Sequence, residues 1–250
     1  MPNQTKVISQ NCFSWKLFQL GLFFLASSAL LAGLCVLTAS FIGAFKRRDS
    51  FWRDKWNYPL VIVAIWMIIG CFRAYSGWLA WVGLANWLPF FWCFWGFQPF
   101  LLTLQCRKRA ALCLIAGTIP VLITGFGQLW FDWQGPWQLF NGLIIWFVTP
   151  GGQPSGRLSG LFDYANIAGA WLALVWPFAL AAFIDRTSGL KNRTIAFFVG
   201  LGILIALVLT DSRNAWGGLM LGIPFVLGTA TWFWLIPLLV VFFVPIFLSV

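Results

Sequence analysis

Three arginines carry the sharpest chemical signal in the sequence. Arg73 directly follows an apolar run, Arg157 lies in Gly156-Arg157-Leu158-Ser159-Gly160, and Arg213 lies in Asp211-Ser212-Arg213-Asn214. A guanidinium keeps its proton and grips phosphate oxygens through paired donors. An arginine at the bilayer midplane costs about 2.5–3.5 kcal/mol on insertion scales, and less at a helix end. Arginines converging beside apolar runs therefore suggest an anionic head group such as a lipid pyrophosphate. Arg157 is surrounded by Gly151, Gly152, Gly156 and Gly160. Such a re-entry exposes backbone N–H groups, and the helix expected from Tyr164 directs its positive dipole end to the same face. A structural role competes with this reading. Asp211 precedes Arg213 by two residues and Asp163 follows Arg157 by six, so either could form an ion pair. Either could also cap a helix start, Asp163 before Tyr164 and Asp211 before Asn214.

Other chemistries are poorly supplied. There is no histidine, so a His nucleophile, general base or metal ligand is excluded. Cys12, Cys35, Cys71, Cys93, Cys106 and Cys113 show no CxxC spacing, and most lie in apolar runs. They read as small buried hydrophobes, not as a zinc site or disulfide framework. No metal and no cofactor is expected. Of the 250 residues 61% are hydrophobic and 9% charged, against about 25% charged in soluble domains. A water-soluble globule and a disordered chain are both excluded. The net charge of +10 does not point to nucleic acid, because the basic residues sit in short clusters between apolar runs. That is the pattern of membrane topology signals.

The elements that must position the arginines are therefore membrane helices. The expected fold is all-α: a polytopic transmembrane helix bundle of seven or eight helices, forming a single domain over residues 1–250. The apolar runs are Leu17–Phe45, Trp56–Phe72, Ala74–Cys106, Ala110–Phe131, Tyr164–Ile184, Thr194–Thr210 and Asn214–Val250, where a span needs about 20 residues. Pro89 and Pro99 interrupt the third run, and Gly77–Trp87 could lie flat at the surface. Pro224 and Pro237 are candidate kinks in the last. Trp133–Gly156 is uncharged but holds Gly135-Pro136 and Pro150-Gly151-Gly152, so it reads as an interfacial loop with Trp133, Trp137 and Trp146 as anchors. The first run fits either one crossing or a hairpin turning near Ser27-Ser28. Its 29 residues make only about 43 Å of helix, short of two full spans. A run of that length also exceeds the core of a cleaved signal peptide. Because the chain stops at Val250 inside an apolar run, it is expected to be the N-terminal part of a longer protein.

Orientation follows from the basic clusters. Lys46–Lys55, Arg107–Arg109 and Arg186–Arg193 fall on one side if each intervening run makes an odd number of crossings, and that side is expected to be cytoplasmic. Arg73, Arg157 and Arg213 then lie on the extracytoplasmic side.

The stretch from Gly142 through Arg157-Leu158-Ser159-Gly160-Leu161-Phe162-Asp163-Tyr164-Ala165-Asn166 to Trp176-Pro177-Phe178, followed by Asp211-Ser212-Arg213-Asn214-Ala215-Trp216, resembles the O-antigen ligase and polymerase superfamily. It is most similar to the cyanobacterial branch once proposed to act in inorganic-carbon uptake. The resemblance covers roughly residues 110–230 well, and the first hundred only in hydropathy. It implies a polytopic, metal-independent glycosyltransferase of the bacterial inner membrane, serving lipopolysaccharide or another cell-envelope polysaccharide. Its donor would be an undecaprenyl-pyrophosphate-linked glycan, and its acceptor a saccharide or lipid-saccharide. Arg157 and Arg213 fall on the motif arginines held to bind the pyrophosphate, with Arg73 as a further candidate. Asn166 falls on the motif Asn and would orient the site, beside Asp163 and Asp211. The family carries a functional His in a long outer loop. This chain has none, so it is expected to hold the donor-phosphate half of a site and to be inactive alone.

Two other classes compete. A small-anion transporter for a bicarbonate-like substrate would place polar groups near the midplane, where Thr124, Gln128 and Asn141 are the few candidates. A purely structural membrane partner would need only close helix packing, for which Gly218-Leu219-Met220-Leu221-Gly222 has the small-xxx-small spacing.

Overall fold

The computed structural model describes residues 13–46, 51–234 and 237. Lys6, Cys12, Arg47, Arg48 and nearly all of the last apolar run beyond Trp234 lie outside the described residues. The chain is mostly helical, because long stretches of apolar residues satisfy their backbone groups internally only as helix. The helices are α1 (Phe13–Phe24), α2 (Ala29–Lys46), α3 (Asn57–Arg73), α4 (Trp78–Gly96), α5 (Leu104–Trp130), α6 (Ala165–Ile184), α7 (Leu190–Thr210) and α8 (Arg213–Leu227). Three of them, α5, α6 and α7, are long and apolar enough to cross a membrane, with 27, 20 and 21 residues. At 1.5 Å per residue the shortest of these matches the roughly 30 Å hydrocarbon layer. Only 33% of the apolar window of α6 and 39% of that of α7 are buried within the protein. Leu174, Phe178, Phe198, Leu201 and Val208 all point outward. Faces this apolar need an apolar surround, so the protein associates with a membrane. The eight α-helices among the described residues agree in number with the seven or eight expected; three of them meet both the length and the apolarity of a span, and α8, with 15 residues, falls short of the roughly 17–25 residues a span takes.

The chain contacts divide it into two compact units. The first comprises Met1–Leu25 and Ala29–Cys113, the second Ala26–Ser28 and Leu114–Val250.

In the first unit the run Leu17–Phe45 is resolved as a helical hairpin. Gly21 of α1 leaves room for Cys35 and Val36 of α2, while Trp15 and Ala39 share one buried cluster with Phe18, Phe100, Cys106 and Ala110. The rings of Phe18 and Phe100 stack with centroids 5.1 Å apart. From Trp78, Gly77–Trp87 is the first half of α4, which continues through Pro89. Gly43 and Gly96 allow α2 and α4 to approach, since an added Cβ would meet Gly96 O and Ser40 O at 2.5 and 2.7 Å.

In the second unit α6 packs on both α7 and α8. An added Cβ on Gly169 would lie 2.8 Å from Ala215 Cβ, one on Gly218 3.2 Å from Ala173 Cβ, and one on Gly222 2.6 Å from Pro177 Cγ. The small-xxx-small spacing of α8 is thus a contact with α6. We expect Gly169→Ala to lower the denaturation midpoint, because the two nearest facing atoms, Ala215 Cβ and Ser212 Cβ, are fixed to the backbone and cannot rotate away. Gly70→Ala in α3, where a Cβ meets nothing within 4 Å, is expected to be neutral or to stabilise by up to about 1 kcal/mol. Equal effects from the two substitutions would contradict this packing.

The uncharged segment after α5 is not wholly irregular. Strands β1 (Trp137–Leu139) and β2 (Ile144–Trp146) form an antiparallel hairpin pairing Trp137 with Trp146 and Leu139 with Ile144. Trp133 lies against Gly127, where any side chain would collide with its ring, and Trp146 Nε1 donates to Ser27 O at 2.8 Å.

Candidate functional site

The residues around Arg157 form a tight rim in the second unit, built from three helix ends and the glycine loop. The loop begins where Gly151 N–H donates to Gln128 O at 2.9 Å, near the end of α5. It then turns back on itself: Gly156 N–H donates to Gly151 O at 2.7 Å and Arg157 N–H to Pro154 O at 3.0 Å. Gly151, Gly152, Gly156 and Gly160 all have positive φ, from 61° to 82°, a region L side chains avoid. Gly152 is under a second constraint, because a Cβ there would run into the Arg157 carbonyl oxygen. These amides are turned inward onto carbonyls. The expectation that Gly151, Gly152 and Gly156 offer free N–H groups to an anion is corrected on that point.

The loop is anchored on either side of Arg157. Leu158 is fully buried, fits against Gly125 of α5, and its N–H donates to Leu209 O of α7 at 2.8 Å. Ser159 and Gln128, both buried, bond through their side chains at 3.3 Å. Ala165 N–H, at the start of α6, donates to Gln153 O at 2.8 Å.

This framework delivers the Arg157 guanidinium to the carboxyl end of α7. Its Nε donates to Thr210 O, and its Nη2 donates both to Asp211 O and to Asn166 Oδ1, each at 2.8 Å. A helix leaves its last carbonyls without internal partners, and its carboxyl end carries partial negative charge. A cation that bonds them is stabilising on both counts. Three of the five Arg157 donors are committed in this way. The two on Nη1 have no partner among the described residues.

The other site candidates are placed as follows. Asn166, in the first turn of α6, is brought to Arg157. Asp211 is brought there too, but through its backbone carbonyl. It is the C-cap of α7 in the left-handed conformation, φ 46° and ψ 42°. Arg213 opens α8 two residues later and is exposed, so it adjoins the turn that Arg157 holds. Asp163 is exposed and stands outside α6, whose N-cap is Tyr164. Arg73 ends α3 in the first unit. The capping roles expected of the two aspartates are corrected: the N-caps are Tyr164 and Ser212, and neither forms a side-chain cap bond. The aspartates therefore sit one residue too early. Among the described residues no hydrogen bond or ion pair links either carboxylate to Arg157 or Arg213.

The polar residues Thr124 and Gln128 are buried. Thr124 Oγ1 donates to Pro120 O within its own helix at 2.8 Å, and Gln128 serves the loop. The contacts of Leu158, Gln128 and the Thr210 carbonyl were not legible in the sequence; only the density of glycines hinted that backbone would approach closely there. No family model, curated protein or solved structure matches the chain.

Proposed function

We propose that the protein takes part in glycan transfer from an undecaprenyl-pyrophosphate carrier to a saccharide hydroxyl at the extracytoplasmic face of the bacterial inner membrane. The observation that carries this reading is the fixed Arg157 guanidinium, which has two donors to spare and lies beside the turn from which Arg213 emerges. In such a transfer the acceptor oxygen bonds to the anomeric carbon. The bond from that carbon to the pyrophosphate breaks, its electron pair leaves with the lipid pyrophosphate, and the proton of the acceptor hydroxyl passes to a phosphate oxygen of that leaving group. Charge grows on phosphate oxygens in the transition state, where preorganised donors act most strongly. Arg157 is held by Asn166 and the end of α7, so it needs little reorganisation to receive that charge. Arg213 is exposed and joins it from the adjoining helix start. The exposed carboxylates of Asp163 and Asp211 leave both guanidinium groups to a ligand. A small-anion transporter finds less support, because the buried polar side chains of α5 are bonded within the fold.

The topology on which this rests is α6 and α7 crossing in opposite directions, with Arg157 outside and the Arg186–Arg193 connection inside. The test is Arg213→Ala in cells that depend on the protein, combined with a reporter cysteine at exposed Ser155 or Asn192 in a background lacking the native cysteines. We expect surface glycan to be lost, Ser155→Cys to react with an impermeant maleimide from outside, and Asn192→Cys to stay protected. Normal glycan in Arg213→Ala, with the protein correctly inserted, would reject the reading.

A further inference from the structure

The opposite end of α6 and α7 carries a feature unrelated to the arginine rim. An open groove between the two helices is lined by Trp176, Ala179, Gly200, Leu204 and the rings of Phe183 and Phe197, with a volume of about 140 Å³. A second hollow shares Phe183 and Phe197 with the first and continues it to Leu190, Arg193 and Thr194. The two together form one amphiphilic track, apolar toward the middle of the helices and cationic at its mouth.

We propose that this track binds one chain of an anionic glycerophospholipid, with the phosphate at Arg193. Three observations choose that occupant. From Arg193 to Leu204 the helix rises 11 residues, about 17 Å, close to the roughly 15 Å depth of one leaflet of hydrocarbon. The groove faces outward, with Phe183, Phe197 and Leu201 exposed, so lipid reaches it directly. The mouth is cationic: Arg193 Nε donates to Phe183 O at 3.0 Å, which fixes the guanidinium over the track, and Arg186 and Lys191 flank it on the same connection. Among the described residues of that connection the three cations Arg186, Lys191 and Arg193 outnumber the single carboxylate, Asp185, which accepts from Thr187 N, Thr187 Oγ1 and Ser188 Oγ at 3.0, 2.7 and 2.8 Å. The inference rests on membrane association and not on glycan transfer.

The test uses the full chain in phosphatidylcholine liposomes doped with phosphatidylglycerol or phosphatidylcholine carrying a photoreactive group in the acyl chain, followed by peptide mapping. Labelling of residues 176–204 by the phosphatidylglycerol probe should exceed that by the phosphatidylcholine probe several-fold. Excess unlabelled phosphatidylglycerol should compete, and phosphatidylcholine should not. A basic residue near an anionic surface contributes about 1 kcal/mol, so Arg193→Gln should cut the labelling about fivefold. Gly200→Leu fills the groove, since a Cβ there already lies 3.6 Å from Ala179 Cβ and Trp176 Cζ3, and should abolish labelling by both probes. Equal labelling by the two probes, or unchanged labelling in Gly200→Leu, would overturn the proposal. The competition arm needs no variant, so misfolding of either mutant leaves it decisive.

Discussion

Arg157→Ala is expected to be among the most damaging single substitutions in the second unit, before any question of ligand arises. It removes three hydrogen bonds that join the glycine loop to the end of α7 and the start of α6. Each bond to a charged group is worth about 1.5–3 kcal/mol. Two of the three are exposed, so water recovers part of the loss. A net cost of about 2–4 kcal/mol is expected, read as a lower denaturation midpoint in detergent or lipid. Arg157→Lys keeps the charge, but one ammonium cannot reach the same acceptors with a planar fork, so it should recover only part of the midpoint. Arg213→Ala should leave the midpoint unchanged, because Arg213 bonds to nothing among the described residues. The contrast separates architecture from the proposed ligand binding: under that proposal Arg157 would serve both and Arg213 only the second. A midpoint for Arg157→Ala equal to that of the wild type would show that the three bonds contribute nothing.

Gly152→Ala should cost a comparable amount by a different mechanism. Gly152 and Gly156 share the same φ of 82°, so an alanine at either meets the left-handed penalty of about 1–2 kcal/mol. At Gly156 nothing lies within 4 Å of the added carbon, and that penalty is the whole effect. At Gly152 the new carbon collides with the Arg157 carbonyl oxygen and lies 3.0 Å from Gln128 Nε2. One obstacle is backbone and the other is part of a buried pair, so the loop must shift. We expect Gly152→Ala to cost about 2 kcal/mol more than Gly156→Ala, and to displace the guanidinium with the loop. Denaturation of the two variants side by side measures the difference directly. Identical midpoints would mean that the loop is not seated as described.

Residue types alone indicated that these arginines matter, but not how. A guanidinium beside glycines and an anion-sized gap look the same in sequence as a guanidinium that caps a helix. The structure places Arg157 in the second role with donors left for the first. The aspartates show the opposite error. Spacing made Asp163 and Asp211 good candidates for helix caps, yet each helix begins one residue later than that role requires. A one-residue shift is invisible to hydropathy, and it turns a side chain from the first turn out to solvent.

The sequence by itself determined that this protein is helical and belongs with a membrane. That conclusion needs only composition and run length, which are local properties: apolar stretches of about 20 residues broken by short basic clusters have no stable place in water. It also located α6 and α7 to within a few residues, since charged residues bracket them. Tertiary structure alone decided that Leu17–Phe45 folds back as two helices, that a strand pair follows α5, and that Arg157 reaches carbonyls more than fifty residues away. Those outcomes depend on which surfaces meet. The apolar pattern is nearly the same on every face of these helices, so it carries little information about partners, and close contacts such as those at Gly21, Gly43, Gly169 and Gly222 select the arrangement.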